Sequence, residues 1–370
     1  MAMNRVMSQC FKELEQFRRD RLGVALAFIL PFAALLIIGY AIRLEAKNIP
    51  LAIQDFDQTS LSRGFIEHLY ATNQFIAAPF HSPSFPDGLD RGTAIAQITI
   101  PQGFANDAIS GRGTNLQVVV DGSDVVNARV IKLSIAGVSQ SWLQAVMGLE
   151  SKALGVVAQV RLWFNPGRQE SLFIVPGAYG VILALFPPLL IAIALVREKE
   201  QGTILQLYAT SLGAAELLLG KTLAYVLVGL GEAIILILSG YILFGVGFAG
   251  DPIPLIIGTP IFLMAGVQLG LAIAIFTSTQ SAAVQGIGTI KVLTAFLLAG
   301  FLFPLNTVPF PFSIVSYAVP ARYYIELCRD AFVRGSGWAG TWHLLLAMAL
   351  LAIAEFGLAW LGMRRMQLSD

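Results

Sequence analysis

Six apolar stretches of hydrocarbon length constrain this chain more than any other feature. A helix rises ~1.5 Å per residue, so ~20 mostly apolar residues cross the ~30 Å core of a bilayer. Such stretches run over 23–42, 173–196, 222–244, 254–276, 283–304 and 343–362. Charged residues make up only 13% of the chain, about half the share a soluble domain carries, so much of its surface faces lipid. The expected fold class is an α-helical integral membrane protein with six transmembrane helices and an α/β domain inserted between spans 1 and 2. The first stretch is too long for a signal-peptide core, and YAIRLEA after it offers no A-x-A cleavage site, so it reads as an uncleaved anchor.

Lys and Arg in short loops set the orientation. The N-terminal segment holds Arg5, Lys12, Arg18, Arg19 and Arg21. Arg197 and Lys199 follow the second span, with Lys221 at the start of the third, and Arg364 and Arg365 lie in the tail. The opposite side carries Arg322, Arg329 and Arg334 in the segment 305–342, and no Lys or Arg around Asp251. The bias places both termini in the cytoplasm and residues 43–172 outside. In that insert IPLAIQD, AIAQITIP and LQVVVDG read as short strands, Thr59 or Ser60 as the cap of a helix to about Tyr70, and 124–164, free of proline, as one long helix or two stacked ones.

Several chemistries are excluded. A net charge of +1 gives no basic field for nucleic acid. Cys10 and Cys328 fit no metal or redox spacing, and His68, His81 and His343 are scattered. AELLLGKT at 215–222 imitates a phosphate-binding loop through Gly220, Lys221 and Thr222, but Ala215 stands where the first glycine belongs and Glu-Leu-Leu-Leu is helix-forming. Asp55 and Asp57 in QDFDQ resemble a metal-binding pair, yet their place between strand and helix favours turn and cap chemistry, as it does for Asp121 and Asp124.

Other residues invite a functional reading. Met7, Cys10, Phe11, Leu14 and Phe17 lie at helical spacing among basic residues, which describes an amphipathic helix along the membrane surface. Glu232, Lys291 and Glu355 sit within apolar spans, where charge is costly and usually faces a cavity or a partner, so they are candidates for a translocation path. The alternative is an ion pair within the bundle. In VREKEQGTILQLYATSLGAAELLLGK, Gly202 can end the second span's helix and Thr203 can cap the next. That next helix shows Ile204, Leu205, Leu207 and Tyr208 to a protein partner or the membrane face. Pro304, Pro309, Pro311 and Pro320 break the chain after the fifth span, which fits an exit gate with Tyr323 and Tyr324 near the interface.

Taken in order, FKELEQFRRDR, IQDFDQTSLSR, ITIPQGFANDAISGR, VVVDGSDVVNA, FNPGRQESLFIVPG, the coupling-type loop above and LAGFLFPLNTVPFPFSIVSYAVPARYYIELCRDAFVRG resemble the type-2 ABC exporter permeases, in their long-insert subgroup. The family often has proline where Leu212 stands. The resemblance implies a permease subunit in the bacterial inner membrane that pairs with a second permease chain, as a homodimer or related heterodimer. It draws on a separate ABC ATPase that binds ATP and Mg, with no cofactor in this chain. It implies an ATPase-coupling element including Arg197, Glu198, Glu200, Gly202, Thr203 and Leu207, and partners that extend to a periplasmic adaptor and an outer-membrane channel. The domain map is an interfacial helix at 1–22, span 1 at 23–42 and an extracytoplasmic domain at 43–172. The transmembrane domain at 173–364 follows, with coupling loop 197–221 and re-entrant segment 305–342, then a tail at 365–370. The chain would perform no covalent chemistry. The rival reading is a membrane-anchored sensor with an extracytoplasmic ligand domain; it requires a cytoplasmic signalling domain, and the tail ends at Asp370.

Overall fold

The computed structural model describes residues 2–41, 48–78, 89, 92–110, 115–122, 125–146, 164–165, 169–203 and 213–367. The chain divides into two compact units, one of Met1–Arg43 with Leu162–Asp370, the other Leu44–Arg161.

The first unit is a helix bundle. Helix α1 (Ala2–Arg19) precedes six helices long and apolar enough to cross a membrane, the first being α2 (Arg21–Ala41). The second unit separates α2 from the other five: α6 (Ser171–Glu200), α7 (Ala214–Phe244), α8 (Ile253–Phe276), α9 (Gln280–Leu298) and α12 (Trp338–Gln367). Between α9 and α12 lie two shorter helices, α10 (Phe312–Ser316) and α11 (Pro320–Arg329), the latter continued by a wide turn to Arg334.

Helix α6 is the hub of the bundle. Of its most apolar window 83% is buried inside the protein, against 22% for α2 and 22% for α9. Water does not drive helix association in lipid, so close van der Waals fit must hold the hub. At one such contact a Cβ on Gly270 of α8 would lie 2.5 Å from the Pro188 carbonyl oxygen in α6, so only glycine lets the two backbones meet.

Two span boundaries differ most from the sequence expectation. The third helix begins at Ala214, eight residues before the expected 222, because the ions near its start are neutralised by partners rather than left in lipid. The fifth ends at Leu298, not 304. Gly300 adopts φ +79°, a conformation that turns the chain out of the helix, and Pro304 then opens a short turn over Leu305–Thr307.

The second unit is α/β. Its sheet has the order β2-β1-β3-β4, from β1 (Ile49–Asp55), β2 (Phe75–Ala77), β3 (Ala96–Ile100) and β4 (Gln117–Val120). Strands β2, β1 and β3 run parallel, and β4 runs antiparallel to β3. The helices are α3 (Ser60–Ala71), α4 (Phe104–Ile109) and α5 (Val125–Val146). Leu51, Ile98 and Ile100 from the sheet and Phe65, Leu69 and Ile131 from the helices form its core. The three strands read from sequence are present. The short β2 was not anticipated, since three residues show too little alternation to register. The expected long helix is α5 as far as Val146; the remainder of that stretch, 147–163, lies outside the described residues.

The Asp pair of QDFDQ is consumed by turn and cap bonding. Asp55 accepts from the Asp57 and Gln58 amides, both at 3.0 Å, and from Ser62 Oγ at 2.7 Å. Asp57 accepts from Gly103 N at 2.9 Å, Ala105 N at 3.1 Å and Thr59 Oγ1 at 2.7 Å, anchoring the start of α4. Thr59 caps α3 with Ser62 in a reciprocal capping box.

Candidate functional site

The most densely charged part of the bundle is the end where α6 stops and α7 starts. Lys221 of α7 is fully buried. Its Nζ lies 2.7 Å from Oε1 of Glu13 on α1 and 2.8 Å from Oε2 of Glu198 on α6; the first is a hydrogen bond, the second a charge contact. Gln9 Nε2 donates to Glu13 at 2.8 Å, and Lys12 Nζ reaches Glu198 Oε1 at 3.3 Å. Two carboxylates thus face two ammonium groups and the junction is neutral. Buried charge survives only when paired in this way.

Local sequence makes the junction possible. A Cβ on Gly220 would lie 2.6 Å from both Cβ and Cγ of Gln9, so this glycine lets α1 lie directly on α7. The GKT that imitates a phosphate-binding loop is therefore helical: its glycine admits α1 and its lysine pairs with Glu13 and Glu198. Helix α1 packs Cys10, Leu14 and Phe17 into the bundle, while Met3 and Phe11 stay exposed. The amphipathic helix thus has two apolar stripes, one held by protein and one free to meet lipid.

A second tie lies beside the first. Arg197 Nη1 donates to Asp20 Oδ2 at 2.6 Å, and Asp20 also accepts from the Gly23 amide at 3.1 Å, capping α2. Burial alone would raise the Asp20 carboxyl, but the Gly23 amide and the Arg197 guanidinium outweigh it and hold its pKa below the ordinary carboxylate range. Lys199 Nζ donates to the carbonyls of Ala274 at 3.1 Å and Ile275 at 3.0 Å, at the end of α8. Glu200 accepts from the Gln280 backbone amide at 2.9 Å and from its side-chain amide, holding the start of α9. The four consecutive residues Arg197 to Glu200 therefore reach α2, α1 with α7, α8 and α9 in turn.

Gly202 ends α6 in the left-handed conformation at φ +68°. Thr203, expected to cap the next helix, donates its hydroxyl back to the Glu198 carbonyl at 3.2 Å. Leu207, with the rest of 204–212, lies outside the described residues. Two cavities open at this end. One, of about 580 Å³, lies between α2, α6 and the start of α9, with Phe17, Tyr225 and Gln285 in its wall. Its neighbour, about 690 Å³, is floored by the charged junction.

The residues assigned to a path are spread through the bundle. Glu232 on α7 is buried, and neither carboxylate oxygen has a hydrogen-bond partner among the described residues. Lys291 on α9 and Glu355 on α12 are also buried and act on one another electrostatically. Tyr324 is sealed inside the bundle, stacked on Phe262 at 4.1 Å and hydrogen-bonded to Thr259 Oγ1 at 2.9 Å. Tyr323 donates to the Tyr317 carbonyl at 2.9 Å. Pro304 supplies the carbonyl that closes the Leu305–Thr307 turn. Sequence reasoning missed Arg329, which donates to the carbonyls of Gly300 at 2.8 Å and Phe301 at 3.2 Å and lies over the Phe173 ring at 4.1 Å. It ties the frayed end of α9 to α11 and the start of α6.

The arrangement is a set of helix-to-helix ties at one end of an apolar bundle, with cavities beside them. Among the described residues no group of three or more His, Cys, Asp or Glu is placed to hold a metal ion. A family model described as ABC-2 family transporter protein matches residues 22–361. The chain belongs to the ABC-2 transporter family. It is 26% identical over 375 aligned positions to the probable multidrug ABC transporter permease YbhS of Escherichia coli K12, covering 99% of this chain and 98% of that one. It is 22% identical to the probable multidrug ABC transporter permease YbhR of the same organism, over 94% and 96% of the two chains. The linearmycin resistance permease protein LnrN of Bacillus subtilis is 20% identical over 95% and 98%. The protein is thus a multi-span membrane permease of the ABC type, and the charged junction is a feature of its transmembrane unit.

Proposed function

We propose that this permease moves a lipophilic small molecule outward across a bacterial inner membrane, on energy from ATP bound and hydrolysed by a separate ABC ATPase. Two permease chains pair; the thinly covered α2 and α9 leave surface for lipid and for that partner. The charged end of the bundle faces the cytoplasm, and Leu44–Arg161 stands outside. One observation carries this reading. The N-terminal helix, the loop after α6, the start of α7, the α8–α9 turn and the end of α12 all meet at one end, and there the Lys and Arg of the short segments gather. Gln201–Thr203 lead out of these ties and Gly213 leads back into α7, so a push on the segment between them reaches α1, α2, α7, α8 and α9 together. Charge-linked rigid elements with two arrangements are what an ATP-driven switch requires. The names of YbhS and YbhR and the mainly apolar walls of the 580 Å³ cavity support the cargo class.

Reconstitution in proteoliposomes with and without the ATPase subunit tests the proposal. The complex is expected to hydrolyse ATP and move a lipophilic dye; the chain alone is expected to do neither. Glu200→Lys is expected to retain hydrolysis and lose transport. Dye transport by the chain alone, or wild-type coupling in Glu200→Lys, contradicts the proposal.

A further inference from the structure

We propose that the α/β unit holds a binding site for a small, flat aromatic anion, such as an aromatic carboxylate. A cavity of about 330 Å³ lies between β4 and the helices α3, α4 and α5. That is within the size of small-molecule sites, roughly 300–1,000 Å³. Protein interiors normally close on their aromatic rings and leave few voids larger than a water. Here three rings form the wall and the space beside them stays open. Phe104 stacks on Trp142 at 5.5 Å with 22° between planes, Phe65 meets Trp142 edge-on at 5.2 Å, and Phe65 lies 5.9 Å from Phe104. Each ring comes from a different helix, so the cage exists only in the folded unit. Its faces suit a flat ring, which gains most from offset or edge-on contact.

The polar groups around the cage select the charge. Lys132 stands in the wall, exposed, and its ammonium has no acidic partner among the described residues. Ser139 commits its hydroxyl proton to the Ile135 carbonyl at 2.7 Å. The Trp142 indole N–H, a donor only, is accepted by no described residue. Among the described residues no carboxylate lines the cavity. Free donors, a cation and aromatic faces together describe a site for an aromatic acid, not for an amine or a sugar.

The test uses the full chain in lipid nanodiscs and a fluorinated naphthoate, whose fluorine resonance broadens on binding, with empty nanodiscs as the reference for partition into lipid. Saturable broadening is expected for the wild type. Ala136 is exposed at the cavity wall, so Ala136→Trp fills the space without entering the core and is expected to abolish binding while the melting midpoint holds. Lys132→Gln is expected to weaken binding about threefold to fivefold, the worth of one exposed charge pair, and neutral fluoronaphthalene to bind both forms alike. Absence of saturable binding, equal binding by Ala136→Trp, or an unchanged affinity in Lys132→Gln would each overturn the proposal.

Discussion

Replacing Lys221 by Met is the sharpest perturbation the bundle offers. The side chain is fully buried, and its two partners, Glu13 and Glu198, are 2% and 8% exposed. Met fills similar volume, so packing is kept and the charge alone is lost. Two carboxylates then share a low-dielectric junction with one ammonium, that of Lys12, whose side chain is 38% exposed and therefore screened by water. Breaking a buried pair by removing one partner costs ~3–5 kcal/mol. At ~2 °C per kcal/mol the melting midpoint in detergent falls by about 6–10 °C. Lys221→Arg, which keeps the charge, loses less. The triple variant Glu13→Gln, Glu198→Gln, Lys221→Met removes charge from both sides and returns to within ~1 kcal/mol of wild type, because neutral groups of similar volume often replace a buried ion pair without loss. A Lys221→Met protein that melts with the wild type would refute the reasoning. So would a triple variant no more stable than the single one, since the loss would then not be electrostatic.

Three further outcomes are expected. Gly220→Val places a methyl-bearing carbon against Gln9 and within 3.1 Å of the Val6 carbonyl; α1 is displaced at a cost of ~1–3 kcal/mol, read as faster proteolytic release of the N-terminal segment while the rest of the bundle persists. The Asp20–Arg197 tie contributes in full above about pH 4, the unfolded carboxylate value, and is lost as pH falls through the lower folded value. The partners are 24% and 35% exposed, so the term is below ~1 kcal/mol; melting curves of wild type and Asp20→Asn should therefore stay apart above about pH 4 and converge as the pH falls below it. Asp57→Ala removes the acceptor for two amides at the start of α4 and costs ~1–3 kcal/mol, visible as faster hydrogen exchange at Gly103 and Ala105 with β3 unaffected.

The six spans were legible because hydrocarbon thickness imposes a length that no other fold demands of an apolar run. Their ends were not. The third span reads as starting at 222 because Glu216 and Lys221 look too polar for a helix in lipid, and only a fold that brings Glu13 beside Lys221 makes that lysine admissible. The same distance in sequence hid the charged junction. Sequence places Glu198 and Glu200 in the coupling element without showing their partners; in the fold Glu198 meets Lys221 and Glu200 holds Gln280. A usable signal was present: Glu13, Glu198 and Lys221 all fall at ends that the charge bias puts on one side, and buried charges of opposite sign on one side tend to find each other. In the α/β unit the turn reading of Asp55 and Asp57 followed from strand-then-cap order, which is local. The aromatic cavity was not readable, because Phe65, Phe104 and Trp142 belong to three helices that no short-range pattern links.

The central claim is that the charged end of the bundle meets the ATPase. A photo-crosslinking amino acid at Gly213, beside the loop that leaves α6, and another at Asn73, at the end of α3, test it most directly in membranes holding both subunits. The account predicts a crosslink to the ATPase chain from position 213 and none from position 73. Capture of the ATPase from position 73, with none from 213, would contradict it.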